Sequence, residues 1–537
     1  MSHPTAHNDI LWKIFDTIAC PEQTPNDDWN RWIYLKDTGP PAIKTLLHAS
    51  HVCRAWRNII IFSSSIWGRC LDFDELNAAD EAWQAEVIRR TGDALLNITR
   101  PGRDDHKEFD ESREIFLGSF ISQNWHRVRS LRVTISAAML ETDFRTLHKT
   151  PAPYLEVFEC WRAFWRLTND SIFSRRDYQL ITFGEHAPML RQMDILRCNS
   201  SLYEVPPNAH WFKQLRFLKI SLEHSASQFL PMLTSANLLE RLSITMPSTT
   251  ARDTFGTLSS LPIDKVMILP FLFEINDIDC YDHLQETLAF LERIDVSSCR
   301  IFGLEVTLTE SPSDDDVMAM GHVLTTHLRG RKVDEETTSM FLIADPREIT
   351  IAFRGFRFFL RGEEGLSIHI PNVIPLMKPL FISSHLLQHV RTATLIFNFP
   401  ESSTYAHDLE RDDIIFPHLI TSLTSLTHLS TYTYTLKVIH KWSLRLQLDG
   451  HLPLPSLENI NGPHSLSDCL EEFLGHRFSA SSKPIKAISL GSPKRLEDRK
   501  KRAFLERFSG LKISWTTDNG SDMEYVCGSG TPHLLFI

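Results

Sequence analysis

Apolar positions along this chain keep two different rhythms. Near the N-terminus they recur at helical spacing. Ile10, Leu11, Ile14, Phe15 and Ile18 make one apolar face, and Leu46, Leu47, Val52, Cys53, Trp56, Ile59 and Ile60 make another. Asn8 is placed to cap the first helix, with Asp9 in the turn where the helix dipole favours a carboxylate. Trp56 and Trp67 enlarge the apolar load. A helical piece of roughly 40 residues is too small to bury all of it within itself. The surplus is expected to face a partner or the following domain.

From Val128 onward the rhythm becomes apolar-x-x-apolar-x-apolar. It runs through Val128/Leu131/Val133, Leu155/Phe158/Cys160, Leu190/Met193/Ile195, Leu215/Leu218/Ile220 and Leu239/Leu242/Ile244. It continues through Ile263/Val266/Ile268, Leu291/Ile294/Val296, Val390/Ala393/Leu395, Leu426/Leu429/Thr431 and Ile485/Ile488/Leu490. Several neighbours stand about 24 to 28 residues apart, the period of a leucine-rich repeat. One short strand per repeat turns its apolar residues inward, and neighbours must stack to bury them. Ala226–Leu239 and Asp282–Ile294 read as helical returns, and Ser313 followed by Asp316 resembles a capping box before a helix to Leu328. The stretch from Thr309 to Ile349 does not fit the period. An ordinary α/β domain whose strands share Leu is the competing reading.

Specific residues sharpen the N-terminal picture. Asp9-Ile10-Leu11-Trp12-Lys13-Ile14-Phe15 is followed by Val52-Cys53-Arg54-Ala55-Trp56-Arg57-Asn58-Ile59 and by Ser64-Ser65-Ile66-Trp67. This resembles an F-box of the fungal F-box-like type, with Ala6 and His7 where the family usually has Leu-Pro. The resemblance implies a small helical module that carries no chemistry and docks on a Skp-family adaptor, and through it on a cullin. The residues it implies for docking are Ile10, Leu11, Ile14, Phe15, Val52, Cys53, Trp56, Ile59 and Trp67. The expected fold is therefore α/β: a helical F-box over 1–72 with a surface insertion at about 20–41, connecting helices and a linker over 73–124, and an irregular leucine-rich-repeat-like solenoid over 125–537. Within the connection, Glu75–Thr91 and Ile115–Asn124 read as helices and Thr99–Glu111 as the linker.

Composition narrows the function. A net charge of −11 opposes non-specific binding to nucleic acid, which needs a basic face. The nine Cys include no Cys-x-x-Cys pair, which argues against zinc modules and a disulfide framework. Reduced thiols in the cytoplasm or nucleus are expected. No basic segment followed by an apolar run opens the chain, and no apolar run is long enough to span a membrane. No phosphate loop, His-Glu-x-x-His or Gly-x-Ser-x-Gly signature is present. No cofactor, metal or catalytic residue is expected. Gly528-Ser529-Gly530 reads as a turn, Asp314–Asp316 as a solvated helix start, and Arg499-Lys500-Lys501-Arg502 as a basic outer helix face.

Strand residues alternating with the apolar set would line the open face of such a solenoid. They are Arg132, Glu159, Trp161, Asp194, Lys219, Arg241, Asp295, His428 and Tyr432. Mixed charge with aromatics suits protein recognition. The expected function is a non-enzymatic, substrate-recruiting subunit of a Skp–cullin–F-box ubiquitin ligase whose protein substrate is unknown. The alternative is a non-catalytic interaction scaffold with no degradation role.

Overall fold

The computed structural model describes residues 4–19, 41–100, 111–135, 142–162, 179–180, 182–195, 203–204, 209–221, 235–246, 274–281, 284–295, 301–308, 312–329, 339–345, 348–353, 356–362, 385–397, 415–448, 453–462, 468–480, 484–490, 503–517 and 521–530, with 139, 233, 267–268, 272 and 299. They form a mixed α/β structure in two compact units. One is Met1–Thr245 with Ala251–Thr257 and Leu269–Leu272; the other is Met246–Thr250, Leu258–Ile268 and Phe273–Ile537. The insertion at about 20–41 except Pro41, residues 226–232 and 234 of the Ala226–Leu239 return and the basic run at 499–502 lie outside the described residues.

The first unit opens with four helices: α1 (Pro4–Ala19), α2 (Ala42–Ser50), α3 (Arg54–Phe62) and α4 (Ser64–Arg69). Their core is built by Leu11, Phe15, Ile43, Leu46, Ile60, Ile66 and Trp67. Trp67 donates its Nε1–H to the Ile60 carbonyl at 2.8 Å, so the buried indole keeps its hydrogen bond. Phe15 meets Trp56 edge-on, with centroids 5.3 Å apart. Buried Asp16 receives Arg69 at 2.6 Å, tying α1 to α4.

The expected helix Glu75–Thr91 is two helices, α5 (Phe73–Asn77) and α6 (Glu81–Thr91), which follow the short strand β1 (Leu71–Asp72). Each has its own acidic N-cap: Asp72 accepts from the Asp74 and Glu75 amides, and Asp80 from the Trp83 amide. Asp80 therefore starts a second helix where periodicity alone reads one. Gly92, at φ +47°, ends α6 in a left-handed conformation. The two ends of the expected linker are ordered elements, and its middle, 101–110, lies outside the described residues. Thr99 and Arg100 belong to β2 (Leu96–Arg100), and Arg100 is buried against Glu114 of α7 (Glu111–Asn124). Burial of a guanidinium requires such a partner.

The remaining strands of this unit are β3 (Val128–Ile135), β4 (Val157–Arg162), β5 (Gln179–Leu180), β6 (Gln192–Asp194), β7 (Tyr203–Glu204), β8 (Phe217–Ser221) and β9 (Arg241–Met246). β1, β2, β3, β4, β6, β8 and β9 pair in that order, all parallel, while β5 pairs separately with β7. Leu131, Phe158, Met193, Leu218 and Leu242 are directly paired in turn, and all five are buried. The apolar column read from the sequence is thus one row of the core.

β4, β6, β8 and β9 are entered the same way. A three-residue turn closes two residues before each, from Leu155 to Ala152, Leu190 to Ala187, Leu215 to Phe212 and Leu239 to Ala236. Then one carbonyl accepts two successive amides of the next strand. Glu156 O takes Arg191 and Gln192, and Arg191 O takes Arg216 and Phe217. Both residues of each turn are buried.

The second unit contains β10 (Met267–Ile268), β11 (Glu274–Tyr281), α8 (Leu284–Leu291), β12 (Ile294–Asp295), β13 (Ile301–Leu308), α9 (Asp314–Arg329), β14 (Ser339–Ala344), β15 (Glu348–Phe353), β16 (Phe356–Gly362) and β17 (Thr392–Phe397). It continues with α10 (Ile415–Ser422), β18 (His428–Thr431), α11 (Thr433–Leu448), β19 (Asn459–Asn461), α12 (Asp468–Ala480), β20 (Ala487–Leu490), β21 (Lys512–Thr516) and β22 (Asp522–Val526). The sheet order is β11-β13-β16-β15-β14-β17-β18-β19-β20-β21-β22. Three of these pairings are antiparallel: β16–β15, β15–β14 and β21–β22. β10 pairs with β12. The break in the period has a cause: α9 and then the β14–β16 meander interrupt the one-strand rhythm. Asp345 turns the first hairpin, accepting the Glu348 amide on Oδ1 at 2.8 Å. α9 has the expected capping box, Asp316 N to Ser313 Oγ at 3.2 Å and Ser313 N to Asp316 Oδ2 at 2.9 Å. After the meander the same turn returns at Leu387/Val390, Leu423/Leu426, Leu454/Leu457 and Phe508/Leu511.

Candidate functional site

The residues expected to dock an adaptor divide by burial. Ile10 (61% exposed), Ile14 (49%) and Val52 (63%) point outward, Cys53 is exposed, and Trp56 and Ile59 are half-buried. Leu11, Phe15 and Trp67 are buried and present no contact surface. Their helical positions explain this correction: Leu11 and Phe15 lie one step round α1 from Ile10 and Ile14, on the side that meets α3 through the Phe15–Trp56 pair. They hold the helices together. Sequence reading missed Phe62, at 82% the most exposed large apolar side chain described. Its signal was present, since Phe62 stands three residues after Ile59 on the outer face of α3.

On the sheet of the first unit, Arg132, Glu159, Asp194 and Lys219 are directly paired in turn, and Lys219 pairs with Ser243. The expected charged column therefore exists. It is not an open surface: Glu159 is 4% exposed and Asp194 7%. Arg132 Nε lies 3.2 Å from Glu159 Oε1, which also receives Gln192 Nε2. Burial pushes the Glu159 carboxyl up to about 7, against the pull of Arg132 and with the push of Asp194. Residues expected to greet a partner are instead turned on one another, because buried charges persist only when paired.

Trp161 pairs through its backbone with Thr134, and Arg241, half-buried, with Phe217. The Trp161 side chain lies outside the described residues. Asp295, His428 and Tyr432 belong to the second unit. Asp295 pairs with Ile268, and its side chain is likewise outside the description. His428 is exposed and meets Asn459 Nδ2 at 3.1 Å across the β18–β19 pair, and Tyr432 is exposed just past β18. The nine candidates thus fall in three places: six on β3, β4, β6, β8 and β9, Asp295 on the two-stranded β10–β12 sheet, and His428 and Tyr432 at β18.

Among the described residues no group of three or more His, Cys, Asp or Glu side chains is placed to hold a metal ion. The thiols of Cys70 and Cys527 are pushed up to about 12, chiefly by burial, and so are poor nucleophiles. No described helix is long and apolar enough to cross a membrane. Gly528 and Gly530 sit in a left-handed turn after β22. Comparison of the chain with models of protein families and with curated proteins finds no match.

Proposed function

We propose that this chain is a substrate-recruiting subunit of a Skp–cullin–F-box type ubiquitin ligase. The observation that carries the reading is the exposure of Ile10 and Ile14 on α1, Val52 in the α2–α3 turn and Phe62 at the end of α3, beside a core already filled by Leu11, Phe15, Ile60 and Trp67. Large apolar side chains left in water, three of them (Ile10, Ile14 and Val52) at the motif positions of an F-box, favour a partner that covers them. The helices α1–α4 then serve as the F-box. The repeated turn, shared-carbonyl strand entry and in-register apolar column favour a leucine-rich-repeat-like solenoid in each unit as the substrate-binding part. Such a subunit raises the local concentration of its substrate near an enzyme held by other subunits.

The test has two arms. The full chain is co-expressed with a Skp-family adaptor and purified, and co-purification is expected. The chain is then depleted from cells and the half-lives of its co-purifying proteins are followed. Longer half-lives support the ligase role; co-purification with unchanged half-lives would leave a scaffold without a degradation role. Failure to co-purify with the adaptor would overturn the proposal.

A further inference from the structure

Where α11 meets α12 in the second unit, two imidazoles and a guanidinium lie along one seam. Phe473, His476 and Arg477 stand at i, i+3 and i+4 on α12, so they share a face. His440 of α11 meets that face. Its ring lies edge-on to Phe473 and to His476, with centroids 6.1 and 5.9 Å away. His440 is 7% exposed, and its Nδ1 has no hydrogen-bond partner among the described residues. Its Nε2 lies 3.6 Å from Glu472, whose side chain is largely in water. Arg477 is buried and pairs with no carboxylate among the described residues. It donates Nη1–H to the Pro453 carbonyl at 2.7 Å and Nη2–H to the Leu454 carbonyl.

Those two carbonyls belong to the turn that seats β19. Leu454 sits at φ +49°, a left-handed conformation that a bulky side chain rarely adopts, and its carbonyl also accepts the Leu457 amide. Just beyond, Asn459 opens β19 with its amide on the Thr427 carbonyl and its side chain on exposed His428. Arg477 therefore clamps a strained turn that positions an exposed polar pair on the sheet.

We propose that His440, His476 and Arg477 form an acid-released latch: charging the two imidazoles drives α12 off α11, and Arg477 then releases the 453–454 turn and the His428–Asn459 pair that it seats. The latch goes beyond recruitment and does not rest on it. Nε2 of His440 faces Glu472 and carries the hydrogen of the neutral ring, which leaves Nδ1 bare. A second proton puts an N–H where no acceptor is described and a charge where water is excluded. A proton on His476 then faces the charges of His440 and Arg477. Burial lowers the pKa of both rings; Glu472 opposes it at His440, and Arg477 reinforces it at His476. The other neighbours give no relief. Glu471, beside Glu472, acts on neither ring, and the Cys469 thiol, pushed up to about 11 chiefly by burial, stays neutral. Lys437 and Lys441 on α11 add like charge. α10 brings only exposed His418, and β17 brings no titratable side chain. The latch is closed above the ordinary imidazole value of 6.5 and opens as pH falls below it.

The test is hydrogen exchange of the full chain at pH about 7.5 and about 5.5, read as protection relative to intrinsic rates. Protection over residues 453–462 should fall about tenfold on acidification, in step with α12. His440→Phe combined with His476→Gln should hold that fall below about twofold. Arg477→Gln should lower protection over 453–462 about tenfold already at pH 7.5. Acid should then add little there, while α12 still responds. Circular dichroism reports the folding of both variants, and the wild-type measurement needs neither. Unchanged wild-type protection over 453–462 at pH 5.5 would overturn the latch. An equal fall over β21 and β22 would do the same, since it would mean acid unfolding of the whole unit. A wild-type response in the folded double-histidine variant would place the proton elsewhere and overturn it too.

Discussion

Arg132 and Glu159 face each other from directly paired positions on neighbouring parallel strands, with Arg132 Nε 3.2 Å from Glu159 Oε1. The pair is partly compensated. Burial outweighs the attraction of Arg132, so the carboxyl titrates at about 7 instead of its usual 4.5. The folded chain therefore holds this proton to higher pH than the unfolded chain does. Its contribution to stability is full below about 4.5 and is lost as pH rises towards about 7. Glu159→Gln removes that loss. Its melting temperature relative to wild type should rise between pH about 5 and about 8. Parallel curves for the two proteins would contradict the burial of this charge.

Removing the partner is expected to be worse than removing the acid. Arg132→Ala leaves a buried carboxylate without its cation, a change that typically costs about 3–5 kcal/mol. The cost should shrink at pH about 5, where Glu159 is protonated. Denaturant unfolding at both pH values checks this.

The two faces of α1 should separate cleanly. Leu11 is buried and Ile14 is half exposed. Leu11→Asp buries an unpaired charge at a cost of several kcal/mol and should unfold α1–α4. Ile14→Asp should leave the melting temperature within about 2 °C of wild type, as surface changes do. Circular dichroism and hydrogen exchange over residues 4–69 distinguish them.

The apolar column was legible and its polar counterpart was not. Leu131, Leu218 and Leu242 announce themselves by spacing, because apolar burial is periodic and local in sequence. The strands at Ile460 and Ile513 depart from the sequence pattern: β19 carries one strong apolar residue between polar neighbours, and β21 alternates Ile513 and Trp515 but has Gly510 three residues before Ile513. Their upstream turns at Leu454/Leu457 and Phe508/Leu511 are the better signal. The sequence did place Arg132, Glu159, Asp194 and Lys219 on one face. It did not reveal that Glu159 and Asp194 are buried, because coverage of a sheet face depends on segments distant along the chain. The α9 capping box was readable from Ser313 and Asp316 because caps are local.

The middle of the shared row should be the least tolerant place in the first unit. Leu218 is fully buried and pairs with Met193 on one side and Leu242 on the other. Leu218→Ala should cost about 2–5 kcal/mol, the loss of a buried side chain plus the cavity left behind. A cost below about 1 kcal/mol in chemical denaturation would mean that the row is loosely packed.

A pH effect of opposite sense is expected in the second unit. His440 on α11 is buried; burial lowers its pKa, Glu472 raises it and His476, with ring centroids 5.9 Å away, lowers it further. Its contribution to stability is full above the ordinary value of 6.5 and is lost as pH falls below it. The protection of α11 and α12 amides against hydrogen exchange, taken relative to their intrinsic exchange rates, should fall on acidification from pH about 7 to about 5.5, and His440→Phe should blunt the change. Equal acid sensitivity in the variant would place the effect elsewhere.

The proposed function requires that the exposed side chains of the N-terminal helices be a docking surface. Titration calorimetry of the full chain with a recombinant Skp-family adaptor, for wild type and for Ile14→Asp, tests this most directly. Wild type is expected to bind saturably and one-to-one, with the negative heat-capacity change of apolar burial, and a folded Ile14→Asp chain to show no measurable binding. Absence of binding by wild type, or equal binding by the variant, would contradict it.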